Sequence, residues 1–243
     1  VSSVVFDAVR VDVAGGRAIL DGFSLAVEPG ETVALVGESG SGKTTALKLA
    51  NALRLPSAGT VHVDGRATTE WDPIALRRRT GWVIQETGLF PHLTVGENVA
   101  VVPEIVGWEA ARIRARVDEL LALVGLPPGE YRARRPHELS GGQRQRVGVA
   151  RALAAEPSVV LLDEPFGALD PVTRFALQGE FRTLRERLRA TALFVTHDLR
   201  EAVRVADRIA VVDAGRVAEV LAPGDVARSP HPLVGALREA SGL

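Results

Sequence analysis

Nine consecutive residues have the types and spacing to hold a polyphosphate: Gly37, Glu38, Ser39, Gly40, Ser41, Gly42, Lys43, Thr44 and Thr45. The glycines let the backbone curl so that successive N–H groups face one centre, and a helix starting near Lys43 would aim its positive dipole end at the same point. In that setting Lys43 reaches the β- and γ-phosphates as a point charge, and the Thr44 hydroxyl coordinates a Mg2+ that bridges them. A second pair, Asp163 and Glu164, follows the apolar run Val159-Val-Leu-Leu. Asp163 would hold Mg2+ and Glu164 would polarise an attacking water as a general base. Taken alone, Asp-Glu after a strand is more often a helix cap or a solvated turn. The phosphate loop earlier in the chain gives the pair its meaning.

Both groups need a scaffold that ends strands side by side. Thr32 to Val36 is a continuous apolar run leading into the glycines, as suits a strand buried on both faces. Lys43 to Leu53 reads as the following helix, and Val4 to Val13, the short Leu25 to Val27, Thr60 to Val63 and Trp82 to Ile84 read as strands. In the middle of the chain Ile113, Val117, Leu120, Leu121 and Val124 recur at helical spacing and stop at Gly125. Strand signals return at Val159 to Leu162, Ala192 to Val195 and Ile209 to Val212, separated by helical segments. That alternation predicts an α/β fold with a parallel sheet covered by helices on both faces.

The 243 residues suffice for one large domain, and a net charge of −1 supplies no global basic field for nucleic acid or anionic lipid. There is no cysteine, so neither disulfides nor thiolate metal sites are available. No stretch approaches the ~20 apolar residues that span a bilayer. The start, VSSVVFDAVRVDV, lacks the basic-then-apolar pattern of a secretory signal. The expectation is a soluble protein.

A third motif makes the pattern specific. Leu139, Ser140, Gly141, Gly142 and Gln143 open a helical segment read as Arg144 to Ala155, where Ser140 can cap the helix while its hydroxyl and the glycine N–H groups offer a second anion site. With the phosphate loop, Gln85 and His197, this order resembles the ATP-binding cassette ATPases over nearly the whole chain. The resemblance implies a P-loop fold of that type: a mostly parallel core with an N-terminal antiparallel β subdomain (residues 1–84 and 158–243) and a helical subdomain carrying the signature (residues 85–157). It implies ATP and Mg2+ as cofactors, with Thr44, Gln85 and Asp163 toward the metal and Glu164, His197, Gln85 and Lys43 in catalysis. It also implies a head-to-tail dimer, with a second copy or a paralogous ATPase, in which each signature closes over the other chain's ATP and Asp170 runs along the interface. A lone histidine after a strand is ordinarily a polar loop residue; His62, His92, His137 and His231 keep that reading. The same holds for a strand-end glutamine outside this pattern.

Relatives place an aromatic residue against adenine where this chain has Val13, which packs on a base but cannot stack. Finer features, among them Leu76-Arg-Arg-Arg-Thr-Gly-Trp-Val-Ile-Gln, Pro136-His-Glu-Leu-Ser-Gly-Gly-Gln and Asp163-Glu-Pro-Phe-Gly-Ala-Leu-Asp-Pro, are similar to ATPase subunits of importers of quaternary-amine osmoprotectants such as glycine betaine, choline or carnitine. The implied partners are an integral-membrane permease and, indirectly, a solute-binding protein, with the chain peripheral at the cytoplasmic face of the cell membrane. Leu89, Phe90, Leu93, Val102 and Trp108 are candidates for the permease cleft, although core burial is the commoner fate of such residues. One short helix from Leu233 to the end at Leu243 predicts no added regulatory module. Rival readings are an ATPase for another solute, a non-transport cassette ATPase, and a scaffold with a dead site. Only 53 residues lie between Gln85 and Leu139, too few for the long insertions of non-transport cassettes.

Overall fold

The computed structural model describes residues 3–13, 15–85, 88–167, 169–188 and 190–243. Ala168, part of a motif quoted above, lies outside the described residues, as do Glu86 and Thr87, which follow Gln85. The strands are β1 (Val4–Asp12), β2 (Ala18–Val27), β3 (Thr32–Val36), β4 (Ala58–Val63), β5 (Arg66–Ala67), β6 (Thr80–Val83), β7 (Val159–Asp163), β8 (Thr191–Thr196), β9 (Arg208–Asp213) and β10 (Arg216–Leu221). The helices are α1 (Lys43–Ala50), α2 (Pro73–Arg79), α3 (Val95–Ile105), α4 (Ala110–Leu123), α5 (Pro128–Tyr131), α6 (Gly141–Leu153), α7 (Pro171–Leu188), α8 (Leu199–Val205) and α9 (Pro232–Ser241).

Two sheets result. A four-stranded sheet runs β2-β1-β4-β5, with every pairing antiparallel. A six-stranded sheet runs β10-β9-β3-β8-β7-β6, parallel throughout except for the β9-β10 hairpin at its edge. Every residue of β3, β7 and β8 is buried, which is why these segments read as unbroken apolar runs rather than alternating ones. Alternate residues serve different cores. Val33, Leu35, Val159 and Leu161 pack with α1 and the antiparallel sheet, while Ala34, Val36, Val160 and Leu162 pack with residues of α3, α4, α6 and α8.

Several sequence boundaries shift. The strand read as Leu25–Val27 is the ten-residue β2, because Asp21 and Gly22 interrupt an alternation that is otherwise kept from Ile19 onward. The helix after the phosphate loop stops at Ala50 rather than Leu53, since Asn51 caps it and Ala52 turns left-handed at φ 52°. β6 ends at Val83, so Gln85 lies in the turn beyond the strand instead of ending it. α6 begins at Gly141, three residues before the position read from the sequence, because Ser140 makes the cap. α2, with Asp72 accepting from Ile74 N and Ala75 N, and β10 escaped the sequence reading.

Asn98 is fully buried in α3, and its side chain fixes the segment downstream of Gln85. Its Oδ1 accepts from Phe90 N at 2.8 Å, and its Nδ2 donates to Phe90 O at 3.1 Å and Thr94 O at 2.9 Å. Asn98→Ala would strand these groups and is expected to cost about 2–3 kcal/mol. Thermal unfolding should register this as a fall in Tm of roughly 4–12 °C for a chain of this size. A fall under ~2 °C would mean that the freed groups find other partners. Among the described residues, no helix is long and apolar enough to cross a membrane.

Candidate active site

The site lies where four neighbouring strands end together. β3 delivers the Gly37 loop, β8 delivers His197, β7 delivers Asp163 and Glu164, and β6 leads into Gln85. Ligands in open parallel sheets bind at such carboxyl ends. Registers Val36↔Thr196, Asp163↔Val195 and Val83↔Leu162 keep these ends level.

In the loop, Gly42 takes φ 103°, a conformation that glycine alone adopts readily, and a Cβ there would stand 2.4 Å from Leu20 Cδ2. A Cβ on Gly37 would stand 2.1 Å from the Val212 carbonyl oxygen. Helix α1 has no side-chain cap and no acidic residue in its first turn, so its N–H groups and dipole are left for an anion. The Lys43 ammonium is buried and donates to Gly37 O at 2.8 Å, Glu38 O at 2.6 Å and Ser41 Oγ at 3.3 Å. Burial lowers its pKa, while the charges of Glu164, Asp163 and Glu38 push the other way. Glu38, Ser39 and Gly40 form the exposed tip of the loop.

Thr44 Oγ1 donates to Asp163 Oδ1 at 3.0 Å, joining the two groups identified from the sequence across 119 residues. Burial raises the Asp163 pKa, and the Thr44 hydrogen bond opposes the shift. Glu164 adopts φ 47°, left-handed for a non-glycine residue, at a cost of about 1–2 kcal/mol. Its amide donates to Val195 O at 3.0 Å and its carbonyl accepts from Gly167 N at 3.2 Å, which fix the turn. The carboxylate meets two partners: Gln85 Nε2 donates to Oε2 at 3.3 Å, and His197 Nδ1 lies 3.4 Å from Oε1.

A cavity of about 370 Å³ beside the loop is lined by Val13, Arg17, Ile19, Gly40, Gly42, Lys43, Thr44 and Thr45. Arg17 and Ile19 escaped the sequence reading; the only signal was their nearness to Val13, whose N–H bonds Arg17 O across the hairpin at 3.0 Å.

Signature residues 140–143 do not line that cavity. Ser140 Oγ accepts from Gln143 N at 3.2 Å, and Gln143 Oε1 accepts from Ser140 N at 2.9 Å, a reciprocal capping box at the start of α6. Gly141 faces open space, whereas a Cβ on Gly142 would stand 2.8 Å from Thr173 Cγ2 and 3.3 Å from Leu169 Cδ2. Asp170 Oδ1 accepts from Val172 N and Thr173 N, capping the first turn of α7.

Comparison with known proteins places this arrangement. The family model described as ABC transporter matches residues 20–167. The chain is 49% identical over 216 residues to the choline transport ATP-binding protein OpuBA of Bacillus subtilis, covering 89% of this chain and 56% of that protein. It is 48% identical over 205 residues to the glycine betaine uptake system ATP-binding protein YehX of Escherichia coli, covering 84% and 66%. The sulfate/thiosulfate import ATP-binding protein CysA of Bradyrhizobium diazoefficiens is 49% identical over 221 residues, covering 89% and 63%. The chain thus spans between 56% and 66% of these relatives' own lengths. Among solved structures, the dimeric post-hydrolysis state of the ATP-binding cassette MJ0796 bound to ADP and Pi matches with a TM-score of 0.81 at 32% identity, covering 90% of this chain and 98% of that one. With its phosphate loop, paired carboxylates and capped signature helix in one fold, the chain belongs to the ABC transporter family, as an ATP-binding cassette.

Proposed function

We propose that the chain is an ATP-hydrolysing subunit that energises uptake of a small solute, a quaternary-amine osmoprotectant, through a separate membrane permease. The observation that carries the catalytic part is the convergence of Gln85 and His197 on the Glu164 carboxylate, beside the Thr44–Asp163 pair at the mouth of the phosphate loop. Lys43 exchanges its loop carbonyls for the β- and γ-phosphates. Gln85 and His197 hold the Glu164 carboxylate in line, and that carboxylate takes a proton from the attacking water as the bond between the γ-phosphorus and its bridging oxygen breaks, leaving ADP and phosphate.

Hard oxygen donors, the Thr44 hydroxyl, the Asp163 carboxylate and the Gln85 amide, suit Mg2+, which takes few protein ligands and completes its shell with phosphates and water. Among the described residues no three His, Cys, Asp or Glu side chains gather as a metal cluster, and a site of this kind needs none. Bound there, Mg2+ would neutralise charge on the β- and γ-phosphates.

The signature lies away from the cavity, so it serves a partner's nucleotide: two copies pack head to tail, each Ser140 turn closing over the other chain's phosphates. MJ0796, a dimeric cassette, supports this arrangement. The helical part, residues 85–157, offers a groove of about 450 Å³ lined by Ala100, Trp108, Ile113 and Val117 with Glu97 and Arg132, which suits a permease helix. Trp108 is thus the strongest of the residues proposed for that cleft; Phe90 is substantially exposed but does not line the groove. The chain works at the cytoplasmic face of the membrane.

Val13 in the cavity wall offers no aromatic plane, so ATP and GTP should bind within about tenfold of each other, because a discrimination of ~1.4 kcal/mol needs contacts to the base edge. Competition titration with both nucleotides checks this, and a larger preference would count against the assignment of Val13.

OpuBA and YehX favour a quaternary amine, while CysA, equally similar, favours a second reading with an inorganic anion as cargo. Capture of the Glu164→Gln protein from detergent-solubilised native membranes with ATP separates them. Recovery of a permease whose linked receptor binds betaine or choline supports the first reading. A receptor for sulfate, or a nucleic-acid complex, would overturn it.

A further inference from the structure

Arg174, on the first turns of α7, lies behind His197 and outside the nucleotide cavity. Its Nη2 donates to Leu169 O at 3.1 Å, Nη1 lies 3.8 Å from Asp198 Oδ2, and Nε faces Glu201 Oε1 at 3.6 Å without a hydrogen-bond partner. Glu201 is buried and accepts from Thr196 Oγ1 at 2.5 Å, and Thr196 Oγ1 in turn accepts from Asp198 N at 3.0 Å. Thr196 and Asp198 flank His197, whose own side chain is 63% exposed, so the turn rather than packing sets where the imidazole stands. Arg200 also pairs with Asp198, but from the solvent side.

The other end of the guanidinium leads to the signature. Leu169 and Thr173, on either side of the Asp170 cap, are the residues against which Gly142 packs with no room for a Cβ. One continuous path therefore runs from Gly142 through Leu169 and Thr173 to Arg174, then through Glu201 and Asp198 to His197, and from His197 to the Glu164 carboxylate.

We infer that Arg174 is a positioning residue that ties the His197 turn to the signature turn of the same chain, so that engagement of the signature sets the geometry at Glu164. This rests on the ATPase reading above. The fork shape of the guanidinium is what the role needs, because its separated nitrogens Nη2, Nη1 and Nε each face a different partner, Leu169, Asp198 and Glu201, from one rigid plane, whereas an ammonium is a compact point charge.

The test is steady-state ATP turnover by the full chain in five forms: wild type, Arg174→Met, Arg174→Lys, His197→Ala and the Arg174→Met/His197→Ala double variant. Arg174→Met should lower kcat about tenfold and leave KM within about twofold. Arg174→Lys should recover only part of that loss, and it keeps the test alive if the methionine variant does not fold. The double variant should turn over no more slowly than His197→Ala, because Arg174 acts only through His197. Additive losses, or a rise in KM that accounts for the effect, would overturn the inference. The imidazole resonance of His197, followed by NMR in Arg174→Lys, is a readout that needs no turnover. It should shift, and an unchanged resonance would overturn the role. A wild-type chain without turnover, combined with a shifted resonance, would remove the ATPase reading and leave the Arg174 tether standing.

Discussion

Glu164→Gln is expected to lower ATP turnover by roughly 10²- to 10⁴-fold while ATP still binds. The substitution preserves shape and leaves the phosphate loop untouched, but an amide has no basic oxygen to take the proton of the attacking water. The surroundings of Glu164 make the effect specific. Its carboxylate is the shared partner of Gln85 and His197, and its backbone is held at φ 47° by bonds to Val195 and Gly167. Such a conformation persists only where the surroundings enforce it. Phosphate release, paired with equilibrium binding of labelled ATP, reads both quantities. Turnover within about tenfold of wild type would take the general-base role away from Glu164.

Lys43→Ala acts one step earlier. Loss of a charge-assisted contact to phosphate should weaken ATP binding about tenfold to a hundredfold, and turnover at moderate ATP should fall with it. The same change leaves the carbonyls of Gly37 and Glu38 without their donor, so the loop itself should loosen. A melting curve in the absence of nucleotide separates that structural cost from the binding loss. Calorimetric titration showing unchanged affinity would refute the contact between Lys43 and the phosphates.

Much of this site was legible because it is built from local sequence. The phosphate loop, the apolar strand ending in Asp163 and Glu164, and the capped start of α6 each depend on neighbours within a few residues, and hydrophobic runs marked β3, β7, β8 and β9 for the same reason. What escaped depends on long-range partners. Arg17 reaches the cavity only because the hairpin between β1 and β2 folds it there, and Ile19 does so by the pairing of β2. Arg174 reads as an ordinary surface cation on α7 until Leu169, Asp198 and Glu201 are seen around it. Asn98 is an unremarkable polar residue in an apolar helix until its bonds to the segment around Phe90 appear. The boundary errors have local causes: Asp21 and Gly22 mask the middle of β2, and Asn51 ends α1 before the apolar signal runs out.

The claim at the centre is that each nucleotide site is finished by the signature of a second chain, since residues 140–143 lie outside the cavity that holds Lys43 and Thr44. Sedimentation of the Glu164→Gln protein with saturating ATP, and again with ADP, tests it most directly. A dimer with ATP that reverts to monomer with ADP, and that is lost when Gly141→Asp places a negative charge on the open face of the signature, is the predicted result. A monomer at saturating ATP, or an ATP-dependent dimer indifferent to that charge, would contradict it.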